Sequence, residues 1–374
     1  MKVALVHDYL TQDGGAERVL RVLQELFPDA PTFVLFHHPS IPTLLMPEKD
    51  IRTTFLHYLP FIKHHYQWYL PLMPFATERH DIQDFDVVIS STSAFAKGII
   101  TPPTTLHISY CHTPTRYLWT DTHNYIKELN YPWIVKMALP SIISRLRLWD
   151  QMSAQRVDHF IANSDTVKER IQKFYRRDAR VIYPPIALNA YAPAPQPEDY
   201  FLTGGRLVSY KRFDLVVQAF NRLGLPLKIF GAGPEETTLR AHALPNIEFV
   251  GRVDDETLKN LYRGALAFIN PQVEDFGLTA VESMASGRPV IAYAEGGALE
   301  TVKDTVSGVF FHEQSWESLL DAVLDFDHTR FTPEEVRASV EKFDVSQFKK
   351  QLQNTVTSLI EDYKKGVRQT HFNI

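Results

Sequence analysis

Five prolines fall within the fourteen residues PPIALNAYAPAPQP, positions 184–197, and neither a helix nor a central strand can run through them. Proline has no amide proton and a fixed φ, so the hydrogen bonds that would continue either element are missing. The stretch therefore reads as an extended connector. It divides a chain of 374 residues, a length that already favours two hydrophobic cores over one. The predicted boundaries are a first domain over 1–183, a linker over 184–198 and a second domain over 199–345.

The same rhythm runs on both sides of the connector. KVALV is a short apolar run, followed by the Gly-containing loop QDGGAE and a segment with apolar residues at 19, 20, 22, 23, 26 and 27. That is strand, loop and amphipathic helix. Further strand-like runs are DVVIS, LHISY and DHFIAN, then YFLTGGR, LKIFGAG, IEFVGR, LAFINP and PVIAY. Strands alternating with helical segments imply parallel, doubly wound α/β sheets. The tail SQFKKQLQNTVTSLIEDYKK has apolar residues at 348, 352, 356, 359, 360 and 363, the stripe of a helix that needs a surface to cover. A helix over 346–366 returning to the first domain is expected.

Charge excludes one function class. Residues 1–190 carry 20 Lys+Arg against 18 Asp+Glu and the remainder 19 against 26. Neither half has the basic stripe of a nucleic-acid binder, so no nucleic-acid partner is expected. Cys111 is the single cysteine, which fits a reducing compartment. No apolar run approaches the roughly 20 residues of a membrane span, and MKVALVHDYL lacks a signal-peptide pattern. The expected location is cytoplasmic, with attachment to the cytoplasmic face of the inner membrane left open.

Ligands of open α/β sheets bind beyond the carboxyl ends of the strands, which singles out a few residues. Arg206 and Lys211 follow strand YFLTG and suit a diphosphate, Arg as a fork and Lys as a point charge; a solvated loop is the bland alternative. In EDFGLTAVE, Glu274 precedes a helix start whose Phe276, Gly277 and Leu278 amides would be free donors. Glu282 lies about one turn along that helix. The two carboxylates could grip one ligand, or could be a helix-dipole carboxylate plus a surface glutamate. Gly231 in GAGPEE marks either a ligand loop or a tight turn, and so do Gly14 and Gly15 in QDGGAE. His112 and Arg116 follow strand LHISY, with ligand contact and capping as competing roles. No zinc-ligand spacing is present. The triplet DFD at 84–86 sits at the start of strand DVVIS, the wrong end for a site, and that at 325–327 lies far from any strand end, so no metal is expected.

GGAE near the start, HTPTRYLW, ANS, GRLVSYKR and EDFGLTAVE, in this order and spacing over nearly the whole chain, resemble the retaining glycosyltransferases of family 4 with the GT-B fold, two Rossmann-like domains facing a cleft. HTPTRYLW and RLRLWDQMSAQRVDHFIANS resemble the bacterial mannosyltransferase branch that builds O-antigen and exopolysaccharide. The resemblance implies roles. Glu274 and Glu282 would meet the donor sugar and the ribose hydroxyls. Arg206 and Lys211 would neutralise the leaving diphosphate, and His112 would lie near the reacting sugar. Gly14 and Gly15 would cover the phosphates, with Gly231, Gly251, Arg252, Phe276, Gly277 and Leu278 completing the donor site. Arg116, Tyr117 and Trp119 are assigned to the acceptor side. The implied activity is metal-independent transfer of a sugar, GDP-mannose being the favoured donor substrate and no cofactor being needed. The acceptor would be a glycan or a polyprenyl-diphosphate-linked sugar in cell-surface polysaccharide synthesis. A UDP-sugar donor, a nucleotide-sugar 2-epimerase and a silent sugar-nucleotide binding module are the alternatives. FLHYLPFIKHHYQWYLPLMPF (55–75) and YPWIVKMALPSIISRLRLWDQ (131–151) mix aromatic, apolar and basic residues. They read as a bilayer-facing surface or as a buried helical layer.

Overall fold

The computed structural model describes residues 1–39, 50–120, 122, 133–194 and 196–366. Pro195 of the connector and the first two residues of the 131–151 stretch lie outside them. The chain divides into two compact units, Met1–Pro185 with Phe348–Ile374, and Ile186–Gln347.

The first unit is built on a parallel seven-stranded sheet: β1 Val3–His7, β2 Thr32–Val34, β3 Ile51–Thr53, β4 Val87–Thr92, β5 Leu106–Cys111, β6 His159–Ala162 and β7 Ala179–Val181. Their order is β3-β2-β1-β4-β5-β6-β7. Every residue of β4 and β5 is buried, as expected where helices cover both faces of a parallel sheet. His7 is directly opposite Ser91, and Thr92 opposite Cys111.

The last helix, Val345–Lys364, belongs to this unit from Phe348 onward. It buries Phe348, Leu352, Thr355 and Val356, one face at helical spacing. Phe348 sets its ring edge against Tyr110 at 5.8 Å, and Lys349 pairs with Glu25 at 2.6 Å. Tyr363 donates to the Pro103 carbonyl at 2.6 Å. The expected return of this helix to the first domain is what is found.

The second unit carries a parallel six-stranded sheet: β8 Phe201–Arg206, β9 Leu227–Ala232, β10 Ile247–Gly251, β11 Phe268–Asn270, β12 Val290–Tyr293 and β13 Gly308–Phe311, in the order β10-β9-β8-β11-β12-β13. Its core joins Phe201, Ile229, Ile269 and Ile291 of the sheet to Phe213, Val217 and Phe220 of one helix and Leu319 and Val323 of another. The connector is not extended throughout. It makes a short 3-10 turn at Leu188–Ala190, held because Arg337 donates to the carbonyls of Leu188, Tyr191 and Ala285 at 2.6–2.7 Å.

Candidate functional site

In each sheet the strand order reverses once, between β1 and β4 and between β8 and β11. A doubly wound sheet opens its ligand crevice at that point, because the loops leaving the two strands diverge to opposite faces. Gly14 and Gly15 of the first unit, and Arg206, Lys211 and Glu274 of the second, lie on or beside the segments leaving those strands, whereas Gly231, Gly251 and Arg252 lie at or beyond the ends of β9 and β10 and His112 follows β5.

In the second unit, β8 ends at Arg206 and the chain makes a 3-10 turn over Ser209–Lys211. Arg212 takes a left-handed conformation, φ 56°, and turns the chain into the helix Phe213–Leu223. Its guanidinium grips Asp214 at 3.1 and 3.2 Å and reaches Gln314 Oε1 at 3.3 Å. Gln314 in turn donates to the Pro271 carbonyl at 3.0 Å, so one polar chain ties the loop after β8 to the loop after β11. The charged residues of those two loops meet directly: Lys211 Nζ lies 2.7 Å from Glu274 Oε1, with side chains only 12% and 16% exposed. Lys211 folds back over the end of β8, where a Cβ on Gly205 would come within 3.4 Å of its ammonium.

Gly277 caps the helix Leu278–Ala285 at φ 92°, a conformation costly for any residue with a Cβ. The position of that missing Cβ is 3.5 Å from Glu274 Oε2, so the carboxylate sits at the helix start. The Gly277 and Leu278 amides have no partner among the described residues, and the helix dipole adds positive potential there. Arg206 is exposed and makes no ion pair with any described residue. Glu282 is 2% exposed and accepts from the Tyr262 hydroxyl at 3.0 Å. The Phe276 ring packs edge-on against Phe343 at 5.0 Å, leaving only its main chain for a ligand. Gly231 has a packing reason of its own, since a Cβ there would strike the Gly205 carbonyl. Gly251 forms the irregular end of β10, with Arg252 exposed beyond it.

In the first unit, His7 ends β1, Ser91 lies near the end of β4 and His112 immediately follows β5. Ser91 Oγ is 3.1 Å from His7 Nδ1 and 2.8 Å from His112 Nε2. His7 Nε2 is 3.8 Å from Glu17 Oε1, whose other oxygen accepts the Gly14 amide at 2.9 Å. Gly15 opens the first helix. Burial pushes the His112 imidazole down to about 3, with the neighbouring His7 adding to the shift. At neutral pH it is uncharged. Asp8 accepts four consecutive amides, Ser93 to Ala96, at 2.7–2.9 Å, so this amide concavity is already filled by a carboxylate.

Arg116 and Tyr117 begin the short helix Arg116–Trp119 and are half-buried. The Trp119 indole donates to Asp150 at 2.7 Å and stacks on Phe174 at 5.0 Å. Asp150 also receives Thr115 and Tyr175 at 2.9 Å each and the buried Lys97 ammonium. Four donors on one buried carboxylate thus brace the loop that carries His112.

Several residues escaped the sequence reading. Glu17, His7, Ser91 and Arg212 lie in or beside motifs that spacing marks and Gln314 lies outside them, and the contacts that join them to the site run between distant segments. Gln272, 1% exposed, leaves both amide atoms unpartnered among the described residues, and no pattern in the sequence marks it. No cluster of three His, Cys, Asp or Glu residues suited to a metal occurs among the described residues, and none of their helices is long and apolar enough to cross a membrane.

Residues 13–190 match the family described as Glycosyltransferase Family 4, and residues 190–343 match Glycosyl transferases group 1. The D-inositol 3-phosphate glycosyltransferase of Mycolicibacterium smegmatis is 27% identical over 58% of this chain and 55% of its own length. The O-antigen chain mannosyltransferase C of Escherichia coli is 31% identical over 34% of this chain and 36% of its own. The chain thus spans between a third and about half the length of these curated relatives. Among solved structures, Anabaena Alr3699/HepE in complex with UDP superposes with a TM-score of 0.71 at 18% identity, covering 96% of this chain and all of that one. The fold is GT-B.

Proposed function

We propose that this chain, which carries a family 4 domain followed by a group 1 domain, is a retaining, metal-independent glycosyltransferase that uses GDP-mannose. The acceptor in this reading is a glycan or a polyprenyl-diphosphate-linked sugar of a cell-surface polysaccharide. One observation carries the proposal: Lys211 and Glu274 meet at 2.7 Å beside a helix start, at the point where the strand order reverses.

The chemistry follows from those groups. Cleavage of the bond between the anomeric carbon and phosphate oxygen leaves negative charge on the diphosphate and positive charge on the sugar. Lys211, Arg206 and the Gly277 and Leu278 amides are preorganised to stabilise the first charge, the largest single contribution available to an enzyme of this kind. The Glu274 carboxylate faces the second, and Glu282 takes the ribose hydroxyls. His112, being neutral, serves the sugar through a hydrogen bond. The acceptor hydroxyl attacks the face the diphosphate leaves and gives its proton to the departing oxygen, so configuration is retained.

Mannose is favoured because a relative bears the name of an O-antigen mannosyltransferase. A UDP-sugar is the second reading, favoured by the UDP bound in HepE. A thermal-shift panel of GDP, UDP and ADP separates them, since the bound base raises the melting temperature by mass action. Product analysis then tests the activity. A sugar joined to the acceptor supports transfer, an epimerised donor supports the epimerase, and an unchanged donor defeats both. Full turnover in EDTA is expected, and its loss would overturn the metal-free mechanism.

A lipid-linked acceptor also fits the surface over 55–75. Tyr58, Phe61, Trp68 and Phe75 are 82, 66, 54 and 54% exposed, while Leu56, Ile62 and Met73 of the same stretch are buried in the core of the first unit, so one face of this layer packs inward and the other carries the exposed aromatics. Lys63, His64 and His65 lie among them, a composition suited to an anionic interface.

A further inference from the structure

Only His112, in the row Glu17–His7–Ser91–His112, has been given a task. All four side chains are at least nine-tenths buried, and their proton directions can be worked out from valence. A serine hydroxyl has one proton to give. Ser91 therefore donates to one of its two imidazole neighbours and accepts from the other. The Glu17 carboxylate faces His7 Nε2 at 3.8 Å, an orientation that favours placing the single proton of a neutral His7 on that nitrogen. A singly protonated His7 then carries its lone pair on Nδ1, against Ser91. It follows that Ser91 donates to His7 and accepts from His112, whose proton must sit on Nε2.

We propose that Glu17, His7 and Ser91 are positioning residues that hold His112 as the Nε2–H tautomer, so that its Nδ1 lone pair is presented to a hydroxyl of the transferred sugar. Nδ1 makes no hydrogen bond with any described residue. An acceptor nitrogen selects a hydroxyl and rejects a phosphate oxygen, which has no proton to offer when ionised. The low basicity of the buried ring agrees with a neutral acceptor. The Gly14 amide, held by the far oxygen of Glu17, joins the Gly14–Gly15 loop to the same row. The choice of a sugar hydroxyl rests on the glycosyltransferase reading, whereas the tautomer does not.

Nitrogen NMR of the intact protein labelled with 15N-histidine tests it, with the His112 ring assigned from the signals lost in His112→Gln. At pH 7.5 the expected spectrum shows a protonated Nε2 and an unprotonated Nδ1. In His7→Leu, Ser91 loses its acceptor and turns its hydroxyl toward His112, moving the ring proton to Nδ1. His7→Asn places an amide oxygen where Nδ1 was and should keep the original tautomer. An Nδ1–H signal in the wild type overturns the proposal even if no variant folds, and so does an unchanged ring in folded His7→Leu. In transfer assays, His7→Leu should lower kcat about tenfold with donor KM within threefold, and His7→Asn should restore kcat to within threefold of wild type. A purely packing role for His7 predicts no such rescue by Asn. Absence of any sugar transfer by the wild type would sink the glycosyltransferase reading and the hydroxyl with it, while the tautomer would still be judged by its spectrum.

Discussion

Replacing Glu274 with glutamine should move nucleotide binding and turnover in opposite directions. The carboxylate sits 2.7 Å from the Lys211 ammonium, so a diphosphate arriving at Lys211 must share that cation with Glu274 and approach a like charge. Two unit charges ~5 Å apart interact by about 3 kcal/mol at an effective dielectric constant of 20. Partial exposure of both side chains screens roughly half of that. Glu274→Gln should therefore tighten GDP or UDP binding by about 1–2 kcal/mol, five- to thirtyfold, and the gain should shrink as salt is added. Transfer should fall by about 10²–10³ in kcat, on the scale of losing one preorganised electrostatic group. Calorimetric titration with the nucleoside diphosphate at low and high salt measures the first effect, and a diphosphate-release assay the second. Lys211→Met is the control and should weaken both. If Glu274→Gln bound nucleotide more weakly, or turned over within threefold of wild type, the competition argued here would be wrong.

Asp150→Ala strands the buried Lys97 charge and three further donors, so about 3–5 kcal/mol of stability should be lost in urea titration; a loss under 1 kcal/mol would contradict the buried-hub account. His107 and His112 are both pushed down to about 3, chiefly by burial. Their folded-state values lie below the unfolded ~6.5, so the unfolded chain binds more protons, and the stability these rings contribute is present above ~6.5 and drains as pH falls toward 3. The unfolding free energy from urea titration should drop by up to about 1.4 kcal/mol per pH unit for each ring, and His107→Gln should flatten the profile. Phe61→Ser with Trp68→Ser should reduce co-flotation with anionic vesicles without changing nucleotide binding, and undiminished flotation would remove the lipid role of that surface.

Strands inside a longer apolar run were legible, including the three- and four-residue β6, β11 and β12 in DHFIAN, LAFINP and PVIAY, and four other short ones were not. Val87–Thr92 and Leu106–Cys111 are six-residue runs bounded by turn residues, whereas β2, β3 and β7 have three residues each and β13 four, too few to show a period. At the site, Lys211 and Glu274 stood out singly because each follows a clear strand. Their mutual contact did not, because it depends on β8 and β11 being sheet neighbours although β9 and β10 intervene in sequence. The imidazole row was hidden for the same reason. His7 and Ser91 are 84 positions apart and become neighbours only through the β1–β4 register. Gly231 was read as either a ligand loop or a tight turn, and the structure adds a reason the sequence does not show, backbone packing against Gly205.

The first unit is assembled from two separated lengths of chain, and this has a consequence during synthesis. The patch around Tyr110 that Phe348 covers must wait until the ribosome has made all of residues 186–347, roughly 10–30 s at ordinary elongation rates. Until then the nascent amino-terminal half is an unfinished body with an apolar face uncovered, a natural client for chaperones. Expression of residues 1–185 alone should leave it in that state, and adding the 345–366 peptide in trans should relieve it.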